Sequence, residues 1–498
     1  MHPDQTSETE RPNVVLICVD QWRGDCLSAA GHPHVQTPYL DRLARSGTRF
    51  SAGYSATPTC VPARVALMTG QSQERHGRTG YADGIDFQKA HPVTMPGEFR
   101  RQGYQTHAVG KLHVYPERAR IGFDDVDLHD GFLHFARKGR HQQFEYFDDY
   151  VTWLRRQPGV DPQADYFDHG VDCNSIVARP WDKPEGLHPT SWTGTRTVEW
   201  LYRRDPTVPF FLYVSFHRPH PPYDPPAWAF EQYLDLPAYE PVVGDWIDHH
   251  ADHRRDGTDD AFVGEVDPRV VHRARAGYYG HMAHIDLQVH RIREALTAHG
   301  LDENTIVAFV SDHGEMMGDH HMFRKGFGYE GSARVPFIVA DAPAQSADTA
   351  PVVDEVVELR DVMPTLLDLA GLEVPDACDG QSLAPLMRGE SSEWRPWLHG
   401  EHTLLGQSLQ WVTDGRIKFL WASGKGTEEL FDLTTDPHET HNLAPDPDYR
   451  ALLEMWRSRL VTDLTGREEG YVENGELVTG RQPVGILRHT RERLGMGA

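Results

Sequence analysis

The 498-residue sequence predicts an α/β fold, a mostly parallel central sheet flanked by helices and followed by a smaller C-terminal subdomain with an antiparallel sheet. Three observations predict it. Short apolar, β-branched runs recur at Val14–Val19, Thr106–Val109, Phe210–Phe216, Thr305–Val310 and Val335–Val339, with helical patterns between them. After about residue 390 the texture changes to shorter runs, Leu409–Thr413, Ile417–Ala422 and Glu429–Leu433, separated by polar turns such as Asp414-Gly415. The chain, 39% apolar, is also far longer than one minimal core requires. The expected organisation is a polar tail over 1–10, an α/β domain over 11–390 and a C-terminal subdomain over 391–498.

Charge and cysteine usage narrow the function classes. With 49 Lys and Arg against 74 Asp and Glu the formal charge is −25, which would repel nucleic acid and anionic membranes alike. An anionic substrate then needs a local cluster of positive charge. The five cysteines, Cys18, Cys26, Cys60, Cys173 and Cys378, are odd in number, widely spaced and form no CxxC pair, so a reducing, cytoplasmic setting is expected. The opening MHPDQTSETE lacks the basic start and apolar core of a secretory signal. No apolar run approaches the roughly 20 residues of a membrane span.

Taken in order, the elements place polar residues at strand ends, where ligands of open α/β sheets bind. Val14–Val19 runs into Asp20-Gln21, Thr106–Val109 into Lys111 and His113, Phe210–Phe216 into His217, and Thr305–Val310 into Asp312-His313. One strand ending in Asp is ordinary; four such ends form a pattern. Asp20, Gln21, Asp312 and His313 supply a mainly hard ligand set suited to calcium or manganese, with magnesium less favoured and the imidazole tilting toward manganese. Thr37-Pro38, the stripe Leu40, Leu43, Ala44 and then Gly47 predict a helix with an N-cap, a first-turn proline and a C-terminal glycine. In Thr57-Pro58-Thr59-Cys60-Val61-Pro62-Ala63-Arg64, Pro62 suits a first helical turn and Gly70 its end. Cys60 then sits at a helix N-terminus, which favours anions, with Arg64 one turn on. Spacing alone leaves open a structural cysteine in a Pro-rich turn. The acidic stretch from about Glu240 to Asp267 reads as an inserted, solvated loop, with His249, His250 and His253 as weaker candidates for metal ligands.

Cys60-Val61-Pro62-Ala63-Arg64 matches the Cys-x-Pro-x-Arg signature of the sulfatases, and the chain resembles that family along most of its length. The resemblance runs through Arg11–Leu16, Gly110-Lys111-Leu112-His113, Phe216–His220, Tyr278-Tyr279-Gly280, Ser311–Glu315, and Leu430–Leu433 to Asn442-Leu443. It implies an alkaline-phosphatase-like fold with a four-stranded C-terminal sheet. It also implies a sulfuric ester hydrolase whose nucleophile is formylglycine, made from Cys60 by a formylglycine-generating enzyme, with one divalent ion held by Asp20, Gln21, Asp312 and His313. By the same resemblance Arg64 supports the hydrated aldehyde, Lys111 and His217 bind sulfate oxygens, and His113 serves the diol as a base. Lys325 reaches the sulfate or leaving group, and His217 is the candidate general acid; His217→Ala is then expected to harm alkyl esters far more than aryl ones.

The Asp-Gln and Asp-His pairs resemble the phosphonate monoester hydrolase and choline-sulfatase-like branches more than arylsulfatases with paired aspartates. That keeps a phosphonate monoester or phosphodiester hydrolase as the alternative, and a non-catalytic binder with unmodified Cys60 as a further one. His220, His321 and Asp83 are weaker substrate-binding candidates, Asp83 standing where relatives place an asparagine. The expected partners are a small anionic sulfate ester and the maturation enzyme, with no nucleic acid and no membrane; a homo-oligomer is compatible with the composition.

Overall fold

The computed structural model describes residues 11–131, 147–165, 168–341, 351–390 and 393–496; the polar segment 1–10 lies outside them. Fourteen strands matter here: β1 Asn13–Asp20, β2 Thr48–Phe50, β3 Gly53–Tyr54, β4 Gln105–Gly110, β5 Asp125–Leu128, β6 Phe210–Pro219, β7 Thr305–Ser311, β8 Phe337–Ala340, β9 Val352–Val353, β10 Val357–Glu358, β11 Leu398–Leu404, β12 Gln407–Thr413, β13 Ile417–Ala422 and β14 Glu428–Asp432. The main sheet runs β5-β4-β6-β1-β7-β8-β2-β9, and β3 pairs with β10 apart from it. Its first five strands are mutually parallel, whereas β8 is antiparallel to both β7 and β2.

The continuous apolar runs follow from burial on both faces. In β1, Val15, Ile17 and Val19 enter a core shared with the helices Pro189–Arg203 and Pro268–Ala298. Val14, Leu16 and Cys18 enter the opposite core with Val65, Leu67 and Leu366. Each such side chain contributes about 1.5–3 kcal/mol, so truncating any of them weakens both the sheet and the edge beyond it. Register fixes that edge. Val19 lies opposite Phe216 and Ser311, and Gly110 opposite Ser215, so β4, β6, β1 and β7 end together.

The first predicted helix forms as α1, Pro38–Arg45, with Leu40, Leu43 and Ala44 buried, but its ends differ from expectation. Thr37 makes no side-chain cap. Asp286 of the long helix accepts from the amides of Tyr39 (3.2 Å) and Leu40 (2.8 Å), satisfying the orphan donors through tertiary contact. Ser46 is the C-cap, and Gly47 serves close approach, since a Cβ there would fall 2.4 Å from the Cα of Ala340.

The C-terminal sheet β11-β12-β13-β14 is sandwiched. Val412, Phe419, Trp421 and Leu430 pack under Leu453, Trp456 and Leu460 of the helix Arg450–Leu464, while Trp411, Leu420 and Phe431 face the main domain at Tyr54, Phe327 and Tyr329. The acidic stretch 240–267 is largely exposed, as expected of a solvated loop, but it is anchored at a few positions. It contains a 3₁₀ turn, Ile247–His253, and Trp246 stacks on Tyr329 at 4.2 Å. His250 is buried and bonds Tyr329 Oη (2.9 Å), and His249 bonds Glu429 (2.7 Å). A few aromatic anchors hold a segment whose composition is otherwise polar.

His399 of β11 ties the subdomain to the helical turn Gln73–His76 by pairing with Glu74 at 2.7 Å. Burial opposes its charge, but the bond to Glu74 overcomes this and raises the imidazole to about 9. A folded value above the ordinary one, about 6.5, means the stabilisation is complete below that pH and is lost as pH rises through about 9. Thermal unfolding should therefore fall more steeply between pH 7 and pH 10 in the native chain than in His399→Gln; parallel profiles would exclude the pair as the source.

Candidate active site

The aligned strand ends and one helix N-terminus build the site. The helix α2, Cys60–Thr69, begins at Cys60 with Thr59 as N-cap and ends at Gly70 in the left-handed region. Thr59 makes no side-chain cap; its hydroxyl lies 2.6 Å from His402 Nε2 of β11, so the C-terminal sheet positions the turn before Cys60. All ten residues of α2 are buried. Beyond β1, Gln21 takes φ 73°, uncommon for a residue with a side chain, and its amide donates to Asp312 Oδ1 at 3.1 Å.

Asp20, Cys60, Asp312 and His313 bring one donor atom each within 4.8 Å of one another. His313 Nε2 is 3.2 Å from Cys60 Sγ, 3.4 Å from Asp20 Oδ1 and 3.6 Å from Asp312 Oδ1. Its Nδ1 lies 3.0 Å from Gly314 O, which can only accept, so Nδ1 carries a proton and Nε2 faces the carboxylates; burial opposes charge on the ring, but Asp312 and Cys60 raise it above its ordinary value. Two buried carboxylates and an imidazole whose Nε2 faces them suit a hard divalent cation. Gln21 Oε1, the fourth expected ligand, accepts from Lys325 Nζ, and its Nε2 donates to Glu315.

Two cations, Lys111 and Arg64, bond these carboxylates. Lys111 Nζ bonds Asp20 Oδ2. Its loop is pinned by Asp130, which accepts from the amides of Leu112 (2.8 Å) and His113 (3.0 Å). Gly110, at φ +99°, admits no side chain, since a Cβ would sit 1.9 Å from Ser215 O. Arg64 points inward: Nε donates to Asp312 Oδ2 (2.8 Å), and Nη1 to Lys111 O, Tyr213 Oη and Ser215 Oγ. It therefore holds Asp312 and the Lys111 loop, while its Nη2 is buried without a hydrogen-bond partner among the described residues.

The field follows from this crowding. Burial and Asp20 push the Cys60 thiol up, but Lys111, Lys325 and His313 overcome them and leave it below its ordinary value. Lys111 is raised despite burial because Asp20 faces it. Burial first, then Lys111 and Arg64, hold His113 well below the usual imidazole range, so it is neutral and able to accept a proton.

His217 also falls well below that range, through burial and then Arg218 and His220. Arg218 Nη1 lies 2.6 Å from its Nδ1; a guanidinium only donates, so Nδ1 accepts and Nε2 carries the hydrogen. In this tautomer the neutral ring presents an Nε2–H that donates a hydrogen bond.

The weaker candidates separate. His220 is at the site: its amide donates to Asp20 O (3.0 Å) and its ring lies 5.1 Å from His217. Asp83 is exposed and interacts with Tyr81, whose ring is 6.0 Å from His113 at the rim. His321 faces Glu265 at 3.8 Å and its carbonyl accepts from Gly264, in contact with the acidic segment. Sequence reading missed Tyr213, Ser215, Arg218 and Asp130. Tyr213, Ser215 and His217 share one face of β6 at period 2, a polar stripe hidden in a run that reads as apolar core.

Comparison with known proteins agrees with this geometry. The sulfatase family profile matches residues 12–372, and one for the C-terminal region of N-sulphoglucosamine sulphohydrolase matches 318–465. The chain is 45% identical to an arylsulfatase of Clostridium perfringens over 97% of this chain and 100% of that one. It is 30% identical to the multifunctional alkaline phosphatase superfamily protein PehA of Trinickia caryophylli, over 91% and 95%. Among solved structures, the phosphonate monoester hydrolase of Agrobacterium radiobacter superposes with a TM-score of 0.73 at 28% identity, over 91% of this chain and 95% of that one. With its signature cysteine at the head of α2 and an acidic cluster at the joined strand ends, this chain belongs to the sulfatase family of hydrolases.

Proposed function

We propose that the protein hydrolyses the sulfate ester of a small organic substrate, using formylglycine made from Cys60 and one divalent ion, calcium or manganese before magnesium. The convergence of Cys60 with Asp20, Asp312 and His313 carries this reading. Asp20, Asp312 and His313 would hold the ion, with Gln21 beside them; when bound it supplies positive charge to a sulfuryl oxygen and favours ionisation of the nucleophile. Formylglycine supplies a geminal diol, one hydroxyl to attack sulfur and one whose deprotonation expels sulfate and restores the aldehyde.

The chain's own groups do the rest. Lys111 neutralises Asp20 and offers ammonium protons to the sulfuryl oxygens. His217 donates Nε2–H to the same oxygens. His113, kept neutral, takes the proton of the second hydroxyl. The departing oxygen is left to Lys325, whose Nζ is oriented by Gln21. His217→Ala should therefore slow an alkyl and an aryl sulfate by the same factor, about 10²-fold. Lys325→Ala should slow the alkyl ester more, since its alkoxide needs the proton; steady-state kcat/KM for both esters decides, and the reverse pattern would return the acid to His217.

A phosphonate monoester or phosphodiester preference is the second reading, favoured by the Asp312-His313 pair and by likeness to a phosphonate monoester hydrolase. Comparison of an aryl sulfate with an aryl phosphonate monoester, with metal content measured on the same sample, separates the two. Peptide mass spectrometry tests the covalent step: formylglycine lowers the Cys60 peptide by about 18 Da, and an intact thiol in natively produced protein would refute it. A cytoplasmic setting, maturation by a formylglycine-generating enzyme and a diffusible substrate complete the proposal; the five cysteines form no disulfide with one another, which is compatible with a reducing compartment.

A further inference from the structure

We propose that Arg218 is a positioning residue that, clamped by Asp224 inside a buried histidine cage, fixes His217 as the Nε2–H tautomer and so makes it a standing donor to the sulfuryl oxygens. The inference rests on the sulfatase reading of the site above and adds a group outside it. Arg218 is fully buried, and its fork engages Asp224, Nε at 3.0 Å from Oδ1 and Nη2 at 3.1 Å from Oδ2. That pairing directs the remaining nitrogen, Nη1, at His217 Nδ1. Because the guanidinium is planar and carries no lone pair for the imidazole to donate to, only one tautomer of neutral His217 satisfies the contact.

The cage explains why Asp224 stays ionised without water. Burial pushes its carboxyl up, but Arg218 and three histidines outweigh this and hold it well below the ordinary range. His169 Nδ1 accepts from the amide of Val171 (3.1 Å), so its Nε2–H donates to Asp224 Oδ2 at 2.8 Å. His188 Nδ1 accepts from Thr190 (3.1 Å) in the same way, turning Nε2–H toward Oδ1 at 3.8 Å. His281 Nε2 lies 3.0 Å from the amide of Asp224, 3.1 Å from Pro222 O and 3.3 Å from Asp224 Oδ1, contacts that suit either tautomer. The backbone thus sets the protons of His169 and His188, these and Arg218 set Asp224, and Asp224 sets Arg218.

His188, Asp224 and His281 also have donor atoms close enough for a metal ion. A cation there would have to displace Arg218 from its carboxylate and deprotonate His188, so the cluster is electrically complete as it stands. On the other side of His217, a Cβ at Gly131 would fall 2.5 Å from three ring atoms, so the ring packs closely against that glycine.

Two measurements test the proposal on the full, mature chain. In a double-mutant cycle, Arg218→Lys keeps a cation for Asp224 but loses the fork that serves both groups. It is expected to lower kcat/KM for an aryl sulfate by about 10²-fold in the native background and by less than about 3-fold in His217→Ala, because the residue acts through His217. An equal loss in both backgrounds would mark Arg218 as merely structural and overturn the proposal. Histidine-ring ¹⁵N spectra need no variant of Arg218 to fold: with the His217 signals identified by their loss in His217→Gln, Nε2 should be protonated and Nδ1 bare. Protonated Nδ1 would overturn the proposal. Failure of the sulfatase reading would show instead as absent ester hydrolysis with the tautomer unchanged.

Discussion

Replacing Asp312 by Asn is expected to lower activity by several orders of magnitude and to release the divalent ion. Asp312 is fully buried, and each oxygen has a defined task, Oδ1 accepting from the Gln21 amide and lying 3.6 Å from His313 Nε2, Oδ2 accepting from Arg64 Nε. Asparagine removes one negative charge from the donor set and presents an NH₂ group to a donor, either that amide or the guanidinium. Arg64 would then be a buried cation without its carboxylate, a loss of about 3–5 kcal/mol when one partner of a buried pair is removed. The variant should therefore show metal content near zero together with a lowered unfolding temperature. A variant that kept its ion and most of its rate would remove Asp312 from the ligand set.

Cys60→Ser should convert turnover into a single event. A serine hydroxyl at the head of α2 keeps the position of the nucleophile and the cations Lys111 and Lys325 around it, so it can displace one equivalent of alcohol. Only one hydroxyl is present, and no second one exists for His113 to deprotonate; release would require water to attack a hindered, anionic sulfur. Rapid-quench measurement should show a burst of one alcohol per protein followed by a rate lower by many orders of magnitude, with the sulfated serine found on the α2 peptide. Sustained turnover by the serine variant would show that the geminal diol is dispensable.

Much of the site was readable from the sequence because strands buried on both faces must be apolar throughout, and the residues that interrupt them stand out. Asp20, Lys111, His217 and Asp312 each follow such a run, and register then joins the four ends on one edge. Cys60 with Pro62 and Gly70 likewise marked the helix that the structure shows. Its signature also carried the family, through a resemblance that local physics alone does not supply. The surroundings of His321 were not legible for the opposite reason: its neighbours gave no periodic pattern to place it, and it packs against the acidic segment.

The sequence by itself determined the α/β class, the strand ends, the helix headed by Cys60 and the acidic net charge, since each depends on periodicity, turn chemistry or composition. Tertiary structure alone decided which way the polar groups act. Asp286 caps α1 across 246 residues from Leu40, His402 reaches Thr59 across 343, and Arg64 faces Asp312 across 248. His217 became a donor because Arg218, itself held by Asp224, faces its Nδ1. Side-chain direction and protonation are set by partners brought near in space, and a hydrogen bond between distant residues leaves no periodic trace in either segment.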